Sequence, residues 1–420
     1  MTTIRVILVA LGVATLALPA HAMDTYHWVQ YVPDGLEVRA TTDRASCPAL
    51  TFDGAAATFT ERSTPGEGYP IRVCSSAIPA GTKSATIDGV PLALPVARPT
   101  RILVIGDTGC RMKGNVMQAC NDAALWPFRV GSDVAALFKP DLVLHVGDFH
   151  YRETQCPAEF AGCAGSPSGD NWAVWKADFF APAELLLGAA PWIFVRGNHE
   201  ECERGGKGWA RTLDPYPWDV KSGLMGCLDV AKPFVADLGD LKIVVVDTST
   251  ADEDVANPDQ AKMFRTQFQS IGELAPSGPV WVAFHRPIWA ISGLNPKKAG
   301  GDNKTLALAA RDAIPANVQA LLSGHQHTFQ VVSYEDDLPV QIVSGHGGDE
   351  LSFWSPTNPA GLTINGVKVK AGMGRPGKFG FSLLERDRDD PNALWAITDY
   401  TVTGEALGRC VLDGRKVECK

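Results

Sequence analysis

Residues 101–107 read Arg-Ile-Leu-Val-Ile-Gly-Asp, a short apolar run that ends in a glycine and an acid. Four later runs, at residues 142–148, 192–200, 280–285 and 320–327, also lead from apolar side chains into Asp, Asn or His. In α/β folds, ligands gather beyond the carboxyl ends of the strands. A glycine at such an end lets the backbone turn sharply, so that a short polar side chain points into a shared cleft. The pattern predicts five strands whose ends form one site.

Helical patterns separate these runs along the chain. They cover residues 133–138, 171–187, 258–274 and 304–313. Pro182 lies inside the second pattern, and we expect it to kink or split that helix because proline has no N–H group to donate. Strands that alternate with helices are typical of an α/β catalytic domain, which we place at residues 98–420.

Residues 23–97 differ from the rest of the chain. Short runs at residues 36–40, 57–60 and 71–73 are separated by Gly, Pro, Ser and Asp, and no long helical pattern occurs. This arrangement predicts a small all-β domain. The prolines of residues 91–99 restrict both themselves and the residues before them, which is typical of a stiff linker. We therefore place a domain boundary at residue 97.

Residues 1–22 have the pattern of a secretory signal peptide. Arg5 supplies a positive charge, residues 6–18 form a mostly apolar run, and Ala20-His21-Ala22 fits a small-x-small cleavage site. The apolar run is short for a membrane span, although an uncleaved anchor is the alternative interpretation. No second apolar segment is long enough to cross a bilayer. We expect a mature chain that begins near Met23 and is periplasmic or secreted.

All ten cysteines lie beyond Met23. An even number of cysteines in an exported chain indicates disulfides. Their order along the chain favours pairing of nearest neighbours: Cys47–Cys74, Cys110–Cys120, Cys156–Cys163, Cys202–Cys227 and Cys410–Cys419. Ligation of a metal by thiolates is the alternative, but the chain has no Cys-x-x-Cys pair.

The charge balance limits the class of partner. The formal net charge is −9, and no run of Lys and Arg occurs. An acidic surface argues against a nucleic-acid backbone as the main partner. It leaves room for a small phosphate ester, because the charge of bound metal ions can dominate a pocket.

The strand ends carry side chains that suit metal ions. They supply Asp107, Asp148, Asn198, His285 and the pair His325 and His327. Such a mixture of oxygen and nitrogen ligands fits two adjacent divalent or trivalent cations. Each motif alone has a simpler explanation, since Gly-Asp is usually a turn and an isolated His-x-His is more often structural. Their order and their strand context together favour a metal site.

These motifs resemble a known family. Gly106-Asp107-Thr108-Gly109, Gly147-Asp148-Phe149-His150-Tyr151, Gly197-Asn198-His199-Glu200, Val282-Ala283-Phe284-His285 and Gly324-His325-Gln326-His327 are similar to the motifs of the calcineurin-like metallophosphoesterase superfamily. Within that superfamily the pattern is most similar to purple acid phosphatases. The resemblance covers roughly residues 101–350. It implies a two-sheet α/β sandwich of the metallophosphoesterase type, here preceded by a small all-β domain.

One departure from most of the superfamily has a physical meaning. Most members carry a His ligand two residues after the first Asp, where this chain has Gly109. This chain also has Tyr151, three residues after Asp148. The free phenol has a pKa of about 10, so its oxygen coordinates well only to a strong Lewis acid such as Fe(III). The alternative is that Tyr151 packs in the core and the first metal lacks one ligand.

The resemblance implies two ligand sets. The first metal takes Asp107, Tyr151, His327 and a bridging carboxylate from Asp148. The second takes Asp148, Asn198, His285 and His325. The implied ions are Fe(III) together with a divalent Fe, Zn or Mn. Asp148 suits a bridge because a carboxylate has two oxygens and neutralises charge between two cations.

The resemblance also implies an activity. A metal-bound hydroxide would attack phosphorus, and His199 would contact a phosphate oxygen or protonate the leaving group. We expect an acid phosphatase-like hydrolase of phosphate monoesters. A phosphodiesterase acting on nucleotides or lipids is one alternative. A non-catalytic phosphate- or metal-binding protein is another, although the presence of His199 and a full ligand set argues against it.

Three further residues are candidates for contact with substrate. His150 precedes Tyr151, Arg286 follows His285, and His346 follows the apolar run at residues 340–343. Each has a side chain that can bind a phosphate oxygen. Each also has a structural alternative, as a solvated or ion-paired residue.

Overall fold

The structure is a computed structural model, and it describes residues 25–221, 223, 226–292, 300–301, 303–352 and 354–420. Within these residues the chain forms two large mixed sheets that pack face to face, with helices on the outer faces. The predicted two-sheet α/β sandwich, with a strand-rich N-terminal region, is confirmed. The predicted signal peptide at residues 1–22 lies outside the described residues.

The first sheet has eleven strands. In spatial order they are Lys416–Cys419, Ala406–Asp413, Trp395–Thr401, Gly380–Glu385, Arg101–Ile105, Leu142–His145, Trp192–Phe194, Tyr26–Val32, Gly35–Thr42, Arg72–Ala77 and Thr60–Ser63. Three central strands, at residues 101–105, 142–145 and 192–194, run parallel to one another. Their carboxyl ends therefore meet at one edge of the sheet.

The second sheet has eight strands. They are Phe234–Asp237, Lys242–Val245, Val280–Ala283, Val318–Ser323, Val340–Ser344, Phe329–Tyr334, Val367–Arg375 and Thr363–Ile364. Smaller sheets pair Met112–Lys113 with Val116–Met117, pair Ile291–Ser292 with Gly300–Gly301, and join Ala55–Ala57, Leu50–Phe52, Ala85–Ile87 and Val90–Pro91. The strands at residues 280–283 and 318–323 are parallel neighbours. The motifs that follow them, with His285 and His325, therefore lie side by side at one edge of the second sheet.

The core between the sheets is apolar and fully enclosed. Ile102 and Val104 of the first sheet belong to one cluster with Ile243, Trp281 and Leu322 of the second. Burial of side chains of this size contributes about 1.5–3 kcal/mol each. The packing fixes one sheet against the other, and thereby fixes the relative positions of the strand ends.

The helices agree with most of the predicted patterns. They are Phe128–Leu137, Trp172–Trp175, Glu184–Leu187, Gly206–Thr212, Pro258–Leu274 and Lys304–Ala310, with short 3₁₀ turns at Ala161–Cys163 and Asn198–Glu200. The pattern at residues 171–187 is interrupted as expected: a π-helical turn at Lys176–Phe180 precedes Pro182, and a separate helix starts at Glu184. The first helix begins at Phe128, earlier than predicted, and includes Gly131, a poor helix former that lies close to Val402.

The N-terminal segment shares a sheet with the catalytic region. Its strand Tyr26–Val32 pairs in parallel with Trp192–Phe194, and three further strands extend the same sheet outward. Arg62 donates hydrogen bonds to the carbonyls of Ala210, Arg211, Asp214 and Tyr216. These contacts tie the segment to the end of the helix Gly206–Thr212. The boundary at residue 97 stays a prediction.

The five predicted disulfides are all present: Cys47–Cys74, Cys110–Cys120, Cys156–Cys163, Cys202–Cys227 and Cys410–Cys419. Three of them follow predicted metal motifs closely, and so restrain the loops beside the strand ends. Within the same described ranges, no helix combines the length and the apolar character that a membrane crossing requires.

Candidate metal centre

The ends of five strands, three from the first sheet and two from the second, converge on one site. Contacts between residues that are far apart in the chain demonstrate this. The backbone N–H of His325 donates to the carboxylate of Asp107, 2.9 Å from Oδ2. The Nε2 atom of His285 lies 3.1 Å from Oδ2 of Asp148. Asp148, His285 and His325 offer ligand atoms that all lie within 4.8 Å of one another.

Three of the predicted ligands have a left-handed backbone. The φ angles are 55° for Asp107, 61° for Asp148 and 68° for His325. This conformation is uncommon for residues with a side chain, and it costs on the order of 1–3 kcal/mol at a strained position. The strand cannot continue through such a residue. The side chain therefore turns toward the site instead of alternating across the sheet.

The glycines of the motifs allow the ligands to approach each other closely. A Cβ atom on Gly197 would lie 2.1 Å from Oδ1 of Asp148, and one on Gly324 would lie 2.4 Å from Oδ2 of Asp107. One on Gly147, whose φ is +99°, would lie 2.5 Å from Nδ1 of His285. Any other residue at these positions would displace a predicted ligand.

The atoms predicted to ligate the second metal lie close together. The Oδ1 atom of Asn198 lies 3.1 Å from Nε2 of His285 and 2.9 Å from Nδ1 of His325. His285 binds the carbonyl of Val146 through Nδ1, at 2.8 Å. A neutral His285 therefore carries its proton on Nδ1 and presents the lone pair of Nε2 to Asn198 and Asp148.

The first predicted position is built in the same way. The phenol oxygen of Tyr151 lies 3.1 Å from Oδ1 of Asp107, 2.8 Å from Oδ2 of Asp148 and 3.2 Å from Nε2 of His327. The Nδ1 atom of His327 lies 2.6 Å from the carbonyl of Glu350. The lone pair of Nε2 therefore faces the phenol and Oδ1 of Asp107, which is 3.3 Å away.

This donor set fits two cations. At each position carboxylate, amide, phenol and imidazole atoms that can ligate a metal face one another. A proton is favoured at His285: burial lowers its pKa, but the charges of Asp148 and Asp107 and the hydrogen bonds to Asp148 and Val146 together raise it to about 9. Bound cations would balance the carboxylate charge in place of that proton. The site thus has the chemistry that a dinuclear metal centre requires.

Asp148 connects the two positions through one oxygen. Its Oδ2 atom faces both Tyr151 and His285, whereas Oδ1 accepts the backbone N–H of His199 at 2.9 Å. Oδ2 of Asp148 therefore faces both predicted ligand sets, while the backbone of His199 holds the other oxygen of the carboxylate.

Gly109 and Tyr151 are sterically complementary. A Cβ atom at Gly109 would lie 2.5 Å from the carbonyl oxygen of Phe149 and 2.8 Å from Cδ2 of Tyr151. The phenol therefore fills space that a side chain at residue 109 would need. Burial, and then the charges of Asp107 and Asp148, raise the pKa of Tyr151 well above its usual value.

Glu200 holds two of the ligand loops in place. Its buried carboxylate accepts the backbone N–H groups of Asp148, Phe149, His150 and Gly197 at 2.8–3.0 Å. Burial and the charge of Asp148 raise the pKa of Glu200 to about 8, while N–H groups of His150 and Phe149 lower it. The sequence analysis gave this residue no role, although it is the last residue of a recognised motif.

His199 lies beside the ligands and is supported by a carboxylate. Its Nδ1 atom lies 2.7 Å from Oε1 of Glu153, and its Nε2 atom lies 3.9 Å from Oδ2 of Asp148. Arg204 holds Glu153, with Nε 3.1 Å from Oε1, and also donates to the carbonyl of Asn198 at 2.8 Å. The sequence analysis missed Glu153 and Arg204. The closeness of Glu153 to Tyr151 in the chain was the available signal.

The three residues predicted to contact the substrate lie in different surroundings. The ring of His150 is buried against Trp175, with Nε2 3.1 Å from the carbonyl of Gly169. His346 is buried, with Nε2 2.9 Å from Asp399 of the first sheet. Both rings are enclosed by protein, and the substrate roles predicted for these two residues stay predictions. Arg286 lies near the site, but acidic side chains surround its guanidinium group.

A second ion pair near the first position was also missed. Arg111 donates through Nε to Oδ1 of Asp349 at 3.1 Å, and its guanidinium carbon lies 5.2 Å from the ring centre of Tyr151. The same carboxylate lies 3.4 Å from Nε2 of His327. No local pattern in the sequence connects these residues, because more than two hundred positions separate Arg111 from Asp349.

Comparisons with known proteins agree with this geometry. The family model of calcineurin-like phosphoesterases matches residues 100–329, which is more than half of the chain. A purple acid phosphatase from yellow lupin seeds is 13% identical, with 91% of this chain and 73% of that chain covered and a TM-score of 0.54. A structure of PhoD is 12% identical, with 94% and 91% covered and a TM-score of 0.51. At these identities the two structures show a common fold. No curated protein matches the sequence.

The close approach at Gly197 gives a test of the site. We expect Gly197→Ala to reduce the metal content of the purified protein, because the new methyl group overlaps Oδ1 of Asp148. Displacement of a ligand by about 1 Å lowers kcat/KM on the order of 100-fold. Gly272→Ala is the matched control, since its Cβ atom would meet only Pro315, at 3.6 Å. Wild-type metal content in Gly197→Ala, measured by elemental analysis, would contradict the geometry described above.

Proposed function

The chain belongs to the calcineurin-like phosphoesterase family, and from this we infer that it is a metal-dependent hydrolase whose substrates are phosphate monoesters. The observation that carries the proposal is the position of His199. Its Nε2 atom faces the oxygen that both ligand sets share, at 3.9 Å, while Nδ1 is engaged by Glu153. A purely metal-binding protein needs no such supported imidazole beside its ligands.

We assign the ligands as two sets that share Asp148. Asp107, Tyr151 and His327 would hold the first ion, and Asn198, His285 and His325 would hold the second. When bound, two such ions neutralise phosphate charge and lower the pKa of a coordinated water toward neutrality. Tyr151 favours Fe(III) at the first position, with a divalent Fe, Zn or Mn at the second, because a phenol with a raised pKa loses its proton only to a strong Lewis acid.

We assign His199 the contact with the substrate phosphate or with its leaving oxygen. Burial lowers the pKa of His199 to about 3, although Asp148 and Glu153 act to raise it. A phosphate dianion next to Nε2 would favour the protonated ring, since an opposite charge stabilises the charged form. Oε1 of Glu153 lies 2.7 Å from Nδ1, so that Nε2 is left to face the substrate and can hold or transfer a proton there.

We also propose that the chain is exported to the periplasm or beyond the cell. Two features support this: the signal pattern of residues 1–22, and the pairing of all ten cysteines in disulfides. Disulfides form and persist in oxidising compartments and are rare in the cytosol. Detection of an uncleaved, reduced chain in the cytosol would contradict this part of the proposal.

Two model substrates test the proposed reaction. We expect the full mature chain to hydrolyse p-nitrophenyl phosphate, and to hydrolyse bis(p-nitrophenyl) phosphate much more slowly. The reverse preference would favour a phosphodiesterase of nucleotides or lipids instead. Hydrolysis of neither ester by protein with two bound metals would favour a non-catalytic binding protein.

Replacement of His199 separates catalysis from metal binding. We expect His199→Ala to lower kcat by about 10²–10⁴-fold, the usual contribution of general acid–base catalysis. Both metals should remain bound, because His199 donates no side-chain atom to either ligand set. Elemental analysis of the variant checks this, and loss of metal would refute the assigned role.

Glu153→Gln should give a smaller loss of kcat than His199→Ala. Lys113→Met, which removes a neighbour 4.0 Å from Glu153, is the matched control.

Replacement of Tyr151 tests the identity of the first metal. We expect the native protein to absorb visible light, because a phenolate bound to Fe(III) is coloured. Tyr151→Phe should lose this band, since the replacement has no oxygen to coordinate. Tyr69→Phe removes a buried phenol that contacts Asp170 instead, and should keep the band. An iron-loaded native protein without colour would contradict the ligand assignment.

A further inference from the structure

Glu253 lies at the second metal position without belonging to any of the recognised motifs. Its Oε1 atom lies 2.5 Å from Nε2 of His325. The opposite ring nitrogen of His325, Nδ1, lies 2.9 Å from Oδ1 of Asn198 and is the proposed ligand atom. Glu253 therefore contacts the one ring nitrogen of His325 that the metal would leave free.

Arg286 holds the carboxylate of Glu253 in this position. Its Nη1 atom lies 2.6 Å from the same Oε1 atom. Arg286 is itself fixed, since Nε donates to the carbonyl of Ser249 at 2.8 Å and the backbone N–H donates to Thr248 at 3.0 Å. Because Arg286 directly follows His285, Glu253 is connected to both histidines of the second position.

The loop that carries Glu253 is anchored to two helices. The carbonyl of Glu253 accepts the backbone N–H of Lys304, at the start of the helix Lys304–Ala310. Asn257 caps the helix Pro258–Leu274 a few residues further along the chain. The backbone of Glu253 is thus held by secondary structure, and its side chain can fix another group without a large loss of its own entropy.

A carboxylate in this arrangement selects one state of the imidazole. When Nε2–H of His325 faces Glu253, the proton is retained on Nε2 and the lone pair of Nδ1 is available to a metal. A carboxylate at the non-coordinating nitrogen also makes a histidine ligand more basic. Without Glu253 the ring could place its proton on Nδ1 or rotate away from Asn198.

We infer that Glu253, held by Arg286, is a positioning residue that orients His325 toward the second metal and sets the affinity of that position. The inference rests on the proposed two-metal function, but it concerns metal affinity and not turnover. It assigns roles to two residues outside both ligand sets. It also explains why the guanidinium group of Arg286 lies between two acidic side chains.

The experiment measures metal retention in the full mature chain. The protein as purified is dialysed against increasing concentrations of a chelator, and the remaining metal is determined by elemental analysis. We expect Glu253→Ala to lose one of two equivalents at a 10–100-fold lower chelator concentration than the native protein, the usual effect of removing such a partner. Glu253→Gln, which keeps an acceptor oxygen, should fall between the two. The other equivalent should be unchanged.

Glu201→Gln is the matched control. Glu201 also pairs with Arg286, at 3.5 Å, and its side chain is 33% exposed against 28% for Glu253. It does not contact His325, so its replacement should leave metal retention at the native level. An equal loss in Glu201→Gln would overturn the inference, because it would assign the effect to charge near Arg286. Native retention in both Glu253 variants would overturn it as well.

Folding and activity are measured separately. Thermal unfolding of the metal-free variants shows whether Glu253→Ala still folds, and Glu253→Gln provides a second variant of nearly the same shape. If the native protein hydrolyses no phosphate ester but Glu253→Ala still releases metal early, the proposed function fails and the positioning role stands. If the native protein is active and the variants retain both metals, the positioning role alone fails.

Discussion

The structure depends on one crowded contact: the phenol of Tyr151 and the imidazole of His285 both meet Oδ2 of Asp148. Tyr151 donates to this oxygen at 2.8 Å, and Nε2 of His285 lies 3.1 Å from it. The charge of Asp148 also helps to raise the pKa of His285 to about 9, so protons hold the carboxylate where cations would. The rest of the fold supplies the forces that hold these atoms together before any ion binds.

Several features of the structure hold these atoms together. Three ligands take left-handed backbone angles, and glycines beside them leave no side chain in the way. Glu200 gathers four backbone N–H groups from two loops, which fixes those loops relative to each other. Apolar packing between the sheets fixes the strands behind the loops. Disulfides then restrain the chain just beyond the motifs, which lowers the entropy that metal binding would otherwise cost.

A common arrangement supports two of the histidines. His199 contacts Glu153, which Arg204 holds, and His325 contacts Glu253, which Arg286 holds. In each case the carboxylate fixes the imidazole, and the arginine compensates the charge of the carboxylate. His285 is fixed more simply, through the carbonyl of Val146. The arginines near the site therefore serve the histidines, and an arginine beside a ligand is weak evidence for contact with a substrate phosphate.

The sequence alone was sufficient for the α/β fold, the strand ends and the five disulfides. Apolar runs that end in Gly-Asp or Gly-His are local signals, and neighbouring cysteines pair across short loops. It also brought Asp107, Asp148, Tyr151, Asn198, His285, His325 and His327 into one group, which the distances agree with.

Only the tertiary structure decided the supporting contacts. Glu153 meets His199 across 46 positions and Glu253 meets His325 across 72, and both lie on loops that no motif marks. The same holds for the surroundings of His150 and His346: both lie within or beside the pattern, yet packing encloses their rings in the protein interior. Chain spacing fixes which residues lie at a strand end, but contacts between loops depend on how two sheets pack, which no local pattern encodes.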